Sequence, residues 1–265
     1  MATVSQACIK VPGLNARITN RDFTKSHELY TKLPEILELA NRDQLSESVL
    51  NQIGGLIREN GLESYIGVHE SHSHGCLADD HVVIGEDFEE LNCRRVQQVR
   101  LSELRQSNAY GRLFALDDDG LRPYEYQRGT IPKNIPPELV SKLIPRFIHI
   151  MRTHHLGSII SLEILNGFFS EPTSEIVYGN EVTQWPSKRV VQQGQTRTTG
   201  FKFSSEGHSG SSNWVGTSEG HKAVIPPPAS KHLNVSKSVS SKGSPLIILS
   251  PIVVVESQIL RHDFK

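Results

Sequence analysis

Residues 65–76 read Tyr65-Ile66-Gly67-Val68-His69-Glu70-Ser71-His72-Ser73-His74-Gly75-Cys76. This stretch joins an apolar strand pattern to the densest group of potential metal ligands in the chain. If the strand at residues 65–68 continues through the histidines, Val68, Glu70, His72 and His74 share one face of a sheet, because side chains two apart do so. That face begins as a core face, where an unpaired polar group costs about 1–3 kcal/mol. The stretch therefore predicts imidazoles that are hydrogen-bonded, metal-bound or catalytic.

Two hairpins are expected around this stretch. Residues 65–68 and 81–84 are predicted to pair, with residues 75–80 as the turn. A second hairpin is predicted at residues 112–126, closed by an Asp119-Gly120 turn. Pro123 lies in its return strand, which indicates an edge strand or a bulge because proline cannot donate to the ladder.

Two principal helices complete the pattern. Residues 43–60 repeat apolar positions at helical spacing and are followed by Gly61, a typical C-terminal stop. Residues 138–155 show the same spacing, although Pro145 should kink or split the helix. A buried strand is expected at residues 158–165. Together these elements predict an α+β fold of short antiparallel strands packed with two main helices.

The predicted domain organisation has three parts. Residues 1–24 are expected to be a flexible arm, and residues 25–184 the α+β domain. Residues 185–265 are rich in Ser, Gly, Lys and Thr, which predicts a mostly disordered tail. A short apolar segment at residues 245–255 is interrupted by Pro251, and a membrane helix needs about 20 apolar residues. No membrane span is therefore predicted.

Composition narrows the classes of partner and compartment. The chain has 28 Lys and Arg against 29 Asp and Glu, so its formal net charge of -1 gives no nucleic-acid signal. It has only three cysteines, Cys8, Cys76 and Cys93, which argues against a disulfide scaffold. Residues 1–12 contain no continuous apolar segment of the kind that secretory signals have. The cytosol is the predicted compartment, and the nucleus stays open.

The histidines support a metal site as one of two interpretations. His72 and His74 are predicted ligands for a divalent transition metal, with Glu70 as a third ligand or general base. The other interpretation is a set of hydrogen-bonded, partly exposed imidazoles on a hairpin. The zincin motif does not apply, because its histidines are four apart and His69 and His72 are three apart. Three further histidines are weaker candidates for the same site: His69, His81 and His149.

Several segments resemble a widespread family of uncharacterised fungal proteins. In that family a strand ending in His-x-His precedes an acidic turn and a Pro-Tyr-Glu-Phe-like strand. The matching segments here are residues 63–74 and Asp118-Asp119-Gly120-Leu121-Arg122-Pro123-Tyr124-Glu125-Tyr126, and residues 175–181 resemble the family's closing segment. The resemblance covers about residues 45–185, and by position it marks His72 and His74. It implies no activity.

The resemblance and the residues leave two functional hypotheses. The first is a cytosolic binding or accessory protein, which the resemblance associates with fungal specialised metabolism. The alternative is a metal-dependent enzyme that uses the His-x-His site. This chain departs from the family just before that site, where apolar residues are replaced by His69, Glu70 and Ser71.

Overall fold

A computed structural model describes residues 9–104, 108–132, 135–136, 139–178, 181–190 and 195–216. Its dominant feature is a sheet of ten strands that closes into a barrel. In chain order the strands are β1 Ile66–Glu70, β2 His81–Phe88, β3 Cys93–Arg100, β4 Ala109–Asp117, β5 Gly120–Arg128, β6 Ile160–Ile164, β7 Thr173–Tyr178, β8 Glu181–Pro186, β9 Gln195–Ser204 and β10 Gly207–Gly216.

The helices are short by comparison. They are α1 Asn20–Tyr30, α2 Ile36–Ala40, α3 Glu47–Glu59, α4 Leu101–Leu104 and α5 Ile144–Thr153, together with a π-helical turn at Leu139–Leu143 and 3₁₀ turns at Glu89–Leu91 and Ser187–Arg189. None of the helices in the described ranges has the length and apolar character required to cross a bilayer.

The barrel is closed by pairings between strands that lie far apart in the chain. Around the barrel the order is β1-β6-β4-β5-β2-β3-β8-β7-β10-β9, and β9 returns to β1 through Val68 opposite Phe201 and His69 opposite Gly200. The β2–β5 and β7–β10 pairs are parallel, and the other neighbours are antiparallel. Closure gives each of the ten described strands a neighbour on both sides.

The outer face of the barrel carries much of the apolar core. Val68 of β1, Leu162 of β6 and Phe201 of β9 pack beneath helices α3 and α5 in one buried cluster. A second outer cluster lies under α1 and includes Ile84 of β2 and Tyr126 of β5. Helices α1, α3 and α5 thus pack on the outside of the sheet, which explains why the apolar faces of α3 and α5 can be recognised in the sequence.

The inner face of the barrel is unusually polar. His69 pairs with Ser161 across β1 and β6, and both lie opposite to the face of Val68 and Leu162 because side chains alternate along a strand. Glu163 follows on the same inner face, and Glu125 lies opposite the inward-facing Val83 of β2. An apolar cluster containing Val83 fills another part of the interior.

The α+β prediction is wrong, because the protein is a closed barrel. The predicted 65–68/81–84 hairpin does not form: β1 pairs with β6 and β9, whereas β2 pairs with β3 and β5. Three local predictions are confirmed: α3, the β4–β5 hairpin and β6 all occur close to their predicted positions. Pro145 lies in the first turn of α5 and ends the predicted helix at its N-terminal side, where the π-helical turn takes over.

Ordered elements lie on both sides of the predicted domain, residues 25–184. Within the predicted arm, Val11 is fully buried and α1 begins at Asn20. Strands β9 and β10 lie inside the segment predicted to be disordered, where they complete the barrel. The predicted tail from residue 217 onward, including the apolar segment 245–255, lies outside the described residues.

The Gly54-Gly55 pair of α3 offers a test of the helix packing. A Cβ on Gly54 would lie 2.5 Å from Cδ1 of the buried Phe203 ring, whereas a Cβ on Gly55 would meet nothing within 4 Å. Gly55→Ala is expected to raise the free energy of unfolding by about 0.5–1 kcal/mol, because alanine has the higher helix propensity. Gly54→Ala is expected to lower it by about 1–3 kcal/mol through overpacking. Urea denaturation of both variants measures the two effects, and equal shifts would contradict this packing.

Candidate metal centre

The chain leaves the sheet directly after Glu70 and remains buried through His74. Backbone hydrogen bonds hold this segment: the Ser71 N–H donates to the Ile159 carbonyl at 2.8 Å, and the Ser73 N–H donates to the Pro34 carbonyl at 2.9 Å. The His74 N–H donates to the Tyr30 hydroxyl at 2.9 Å. These hydrogen bonds fix the backbone of a buried segment that is not part of a strand. They thereby fix the positions from which its side chains project.

One carbonyl oxygen orients two of the imidazoles. The Glu70 carbonyl oxygen lies 2.9 Å from Nδ1 of His69 and 2.8 Å from Nδ1 of His72. Because a carbonyl only accepts, both Nδ1 atoms must carry the proton. In the neutral rings the lone pair is then on Nε2, and a histidine that donates its other ring N–H to a carbonyl is typical of metal ligands.

Both Nε2 atoms face the same carboxylate, that of Glu175 on β7. Nε2 of His69 lies 3.6 Å from Glu175 Oε1, and Nε2 of His72 lies 3.7 Å from Glu175 Oε2. These separations are too long for hydrogen bonds. They are close to the distance of about 3.4 Å between two ligand atoms of a tetrahedral site with bonds near 2.1 Å.

His74 completes a group of three. Its ring stands edge-on to that of His72, with centroids 4.5 Å apart. His72, His74 and Glu175 each offer a ligand atom, and these atoms all lie within 4.8 Å of one another. The three residues are 3%, 7% and 2% exposed. Two imidazoles and a carboxylate of this kind could hold a divalent transition metal with coordination positions left open.

The two oxygens of Glu175 have different surroundings. Oε1 accepts a hydrogen bond of 2.5 Å from Nε2 of Gln184, whereas the buried Oε2 has no hydrogen-bond partner among the described residues. Nε2 of His69 and Nε2 of His72 are likewise buried without a partner in this part of the chain. Buried polar atoms without partners are costly, so a convergent set of them points to a missing cation or protons.

The charged states of these groups follow from their mutual contact. Burial lowers the pKa of His69, but the Glu175 carboxylate outweighs it, so the pKa is raised above its ordinary value. Burial raises the pKa of Glu175, yet His69 and His72 hold it well below its ordinary value. Glu175 is therefore a carboxylate, the form that a metal requires.

The buried arginines Arg94 and Arg112 form ion pairs with carboxylates other than that of Glu175. Arg112 of β4 donates to both Glu125 and Glu163, and Arg94 of β3 donates to Asp87. In the described ranges no arginine or lysine lies within ion-pair distance of Glu175. Imidazoles are therefore the nearest groups that could balance this buried carboxylate, unless a metal binds there.

Of the remaining sequence-predicted residues, His69 lies beside this group, whereas Glu70, His81 and His149 do not converge on it. The Glu70 carboxylate accepts from Arg197 at 2.6 and 2.8 Å. His81 bonds to Asp80 at a surface site, and His149 is exposed on α5, outside the barrel. His69 is adjacent, with its ring centroid 5.1 Å from that of His72.

Sequence reasoning missed Glu175 as a candidate ligand. It lies in the segment that resembles the fungal family's closing strand, and it is a lone charge beside Ile176 and Val177. An isolated acid in an apolar strand is the signal that could have marked it, because an acid is buried only when it is paired or binds a metal. Comparison with protein-family models, with curated proteins and with solved structures gives no match to this chain.

Proposed function

We propose that this protein is a metal-dependent enzyme whose divalent transition metal is held inside the barrel by His72, His74 and Glu175. The observation that carries the proposal is the convergence of these three buried side chains, with Oε2 of Glu175 and Nε2 of His72 unpartnered in the described structure. Zinc and iron(II) suit such a mixed imidazole and carboxylate set. When bound, the metal would supply Lewis-acid activation of a substrate oxygen.

The neighbouring residues have positioning roles in this proposal. Gln184 donates to Oε1 of Glu175, which leaves Oε2 directed toward His72. His69 faces Oε1 with Nε2, and its raised pKa lets it hold a proton there. The Glu70 carbonyl fixes the ring of His72 through Nδ1. These contacts orient the ligands as outer-shell hydrogen bonds do in metal sites generally.

A binding or accessory protein is the second candidate, and one observation favours it. The three candidate ligand residues are at most 7% exposed, and none of them lines the small cavity bounded by Arg94, Arg112 and Lys202. A metal enclosed in this way could stabilise a binding protein without meeting a substrate. The resemblance to fungal proteins supports a place in specialised metabolism for either candidate, and the free thiols of Cys76 and Cys93 support a cytosolic compartment.

Metal analysis and cobalt substitution test the proposal and separate the two candidates. The purified full chain is expected to contain about one zinc or iron per molecule, and removal by chelator is expected to lower Tm, because a metal bound to the native state stabilises it. In the cobalt-substituted protein, azide should change the visible spectrum if a coordination position is open. An unchanged spectrum would favour the enclosed site. Metal-free protein that binds no added zinc, iron or cobalt would refute the metal site and the enzyme, and would favour a binding protein without a metal.

A further inference from the structure

A small cavity lies at the end of the barrel beyond β6, separate from the three candidate metal ligands. Its volume is about 30 Å³, enough for one or two waters or one small polar group. The residues that matter for its chemistry are Arg94, Arg112, Glu163, Lys202, Ser211 and Ser212. Three cationic side chains and one carboxylate therefore line this small, partly open space.

The cations of the cavity differ in how they are compensated. Arg94 is matched by Asp87 at 2.6 Å, and Arg112 is matched by two glutamates. Lys202 of β9 donates to the Phe169 carbonyl at 3.1 Å. No carboxylate lies within ion-pair distance of Lys202 in the described ranges. One half-buried positive charge at the cavity thus remains without a counter-charge.

Several polar groups of the wall also lack partners. Ser211 and Ser212 of β10 are more than nine-tenths buried, and their Oγ atoms have no hydrogen-bond partner within the described part of the chain. The same is true of Nε of Arg112. Two hydroxyls and a guanidinium N–H are donors, so the cavity has spare donors beside Lys202, the one cation of its wall without a carboxylate partner in the described ranges.

We propose that this cavity binds the carboxylate group of a small organic acid, with Lys202 as its counter-charge and Ser211, Ser212 and Arg112 as hydrogen-bond donors. A carboxylate fits better than a phosphate, because only one cation is uncompensated and the cavity is small. Charge-assisted hydrogen bonds of this type are stronger than neutral ones.

The proposal does not depend on a metal, although the two sites are physically connected. Gln184 lines the cavity, receives a hydrogen bond from Arg112 at 3.4 Å, and donates to Glu175. An acid bound at Lys202 would therefore be anchored one side chain away from the candidate metal ligands. If the protein is an enzyme, this cavity gives its substrate class as a carboxylic acid.

The test is to titrate the full chain with acetate and with formate. Binding is measured by isothermal titration calorimetry for both acids and by ¹³C NMR line broadening for labelled formate. Because the probes are so small, a Kd of about 1–10 mM is expected. Lys202→Met should weaken binding about 10-fold or more, the loss typical of a charged hydrogen bond. Lys202→Arg should retain binding within a few-fold. Lys188→Met is the matched control, because Lys188 pairs with Glu171 at the surface and its side chain is 69% exposed.

Each titration is repeated after chelator treatment. This step distinguishes acetate or formate bound at the cavity from acetate or formate bound to a metal. Binding that survives chelation and is lost in Lys202→Met supports the proposal, whether or not the protein holds a metal. Binding that disappears with the metal, or that is equal in wild type and Lys202→Met, would overturn it. Tighter binding of inorganic phosphate than of acetate would overturn the carboxylate assignment.

Discussion

His72→Ala is expected to weaken the affinity for zinc or iron(II) by at least about 100-fold. Removing an outer-shell partner of a metal ligand already costs about 10–100-fold, and this substitution removes a ligand. Glu175→Gln should have a similar effect, because it removes the negative charge while preserving the shape of the side chain. The measurement is metal competition with a chromophoric chelator on the full chain, with Tm recorded in parallel.

Two other histidines provide matched controls for this prediction. His81→Ala and His149→Ala remove imidazoles that the sequence also marked, but His81 is engaged by Asp80 and His149 is exposed on α5. Both variants should bind metal as the wild type does. If all three alanine variants bind equally, the imidazoles of the barrel are not ligands. Equal Tm values of the wild type and His72→Ala in excess chelator would show that the variant still folds.

The two histidines of the candidate metal site could be predicted from the sequence, and the glutamate could not. His72 and His74 are obvious as candidates because they alternate after an apolar strand. Their predicted common face with Glu70 is wrong, because β1 ends at Glu70 and the Glu70 carboxylate pairs with Arg197. Glu175 lies a hundred residues later and reaches the histidines only through barrel closure. A single sequence gives no measure of such pairing.

The fold prediction failed because the barrel reverses the usual distribution of polarity. Apolar residues such as Val68 and Phe201 face outward beneath helices, whereas charged residues such as Arg112 and Glu163 face inward. The segment at residues 195–216 therefore looks like a solvated tail, although Phe201 and Phe203 alternate outward. Local patterns still predicted α3 and the β4–β5 hairpin, since caps and turns depend on neighbouring residues.

Arg112→Met is expected to lower the free energy of unfolding by about 3–5 kcal/mol, the second large effect that the structure implies. Arg112 is 3% exposed and donates to Glu125, and its bond to Glu163 is 2.8 Å long. Burial lowers the pKa of Arg112, but the surrounding carboxylates outweigh it and the pKa is raised, so the guanidinium stays charged. Methionine would leave two buried carboxylates without a cation, which is the costly way to break a buried ion pair.

Urea denaturation at neutral pH measures this effect, and two comparisons identify its cause. Arg146→Met breaks an ion pair with Glu59 whose side chains are 58% and 59% exposed, and it should cost at most about 1 kcal/mol. Adding Glu125→Gln and Glu163→Gln to Arg112→Met should recover part of the loss, because no unpaired charge remains.

The pH dependence of the same variant has a definite sign. Without Arg112, the charged forms of Glu125 and Glu163 destabilise the fold, because burial disfavours a charge that has no counter-charge. Protonation of these carboxylates under acidic conditions removes the charges and with them the penalty. The difference in unfolding free energy between wild type and Arg112→Met should therefore shrink as the pH falls from 7 toward about 5. A difference that is below about 1 kcal/mol at neutral pH, or that grows on acidification, would mean that Arg112 does not neutralise the barrel interior.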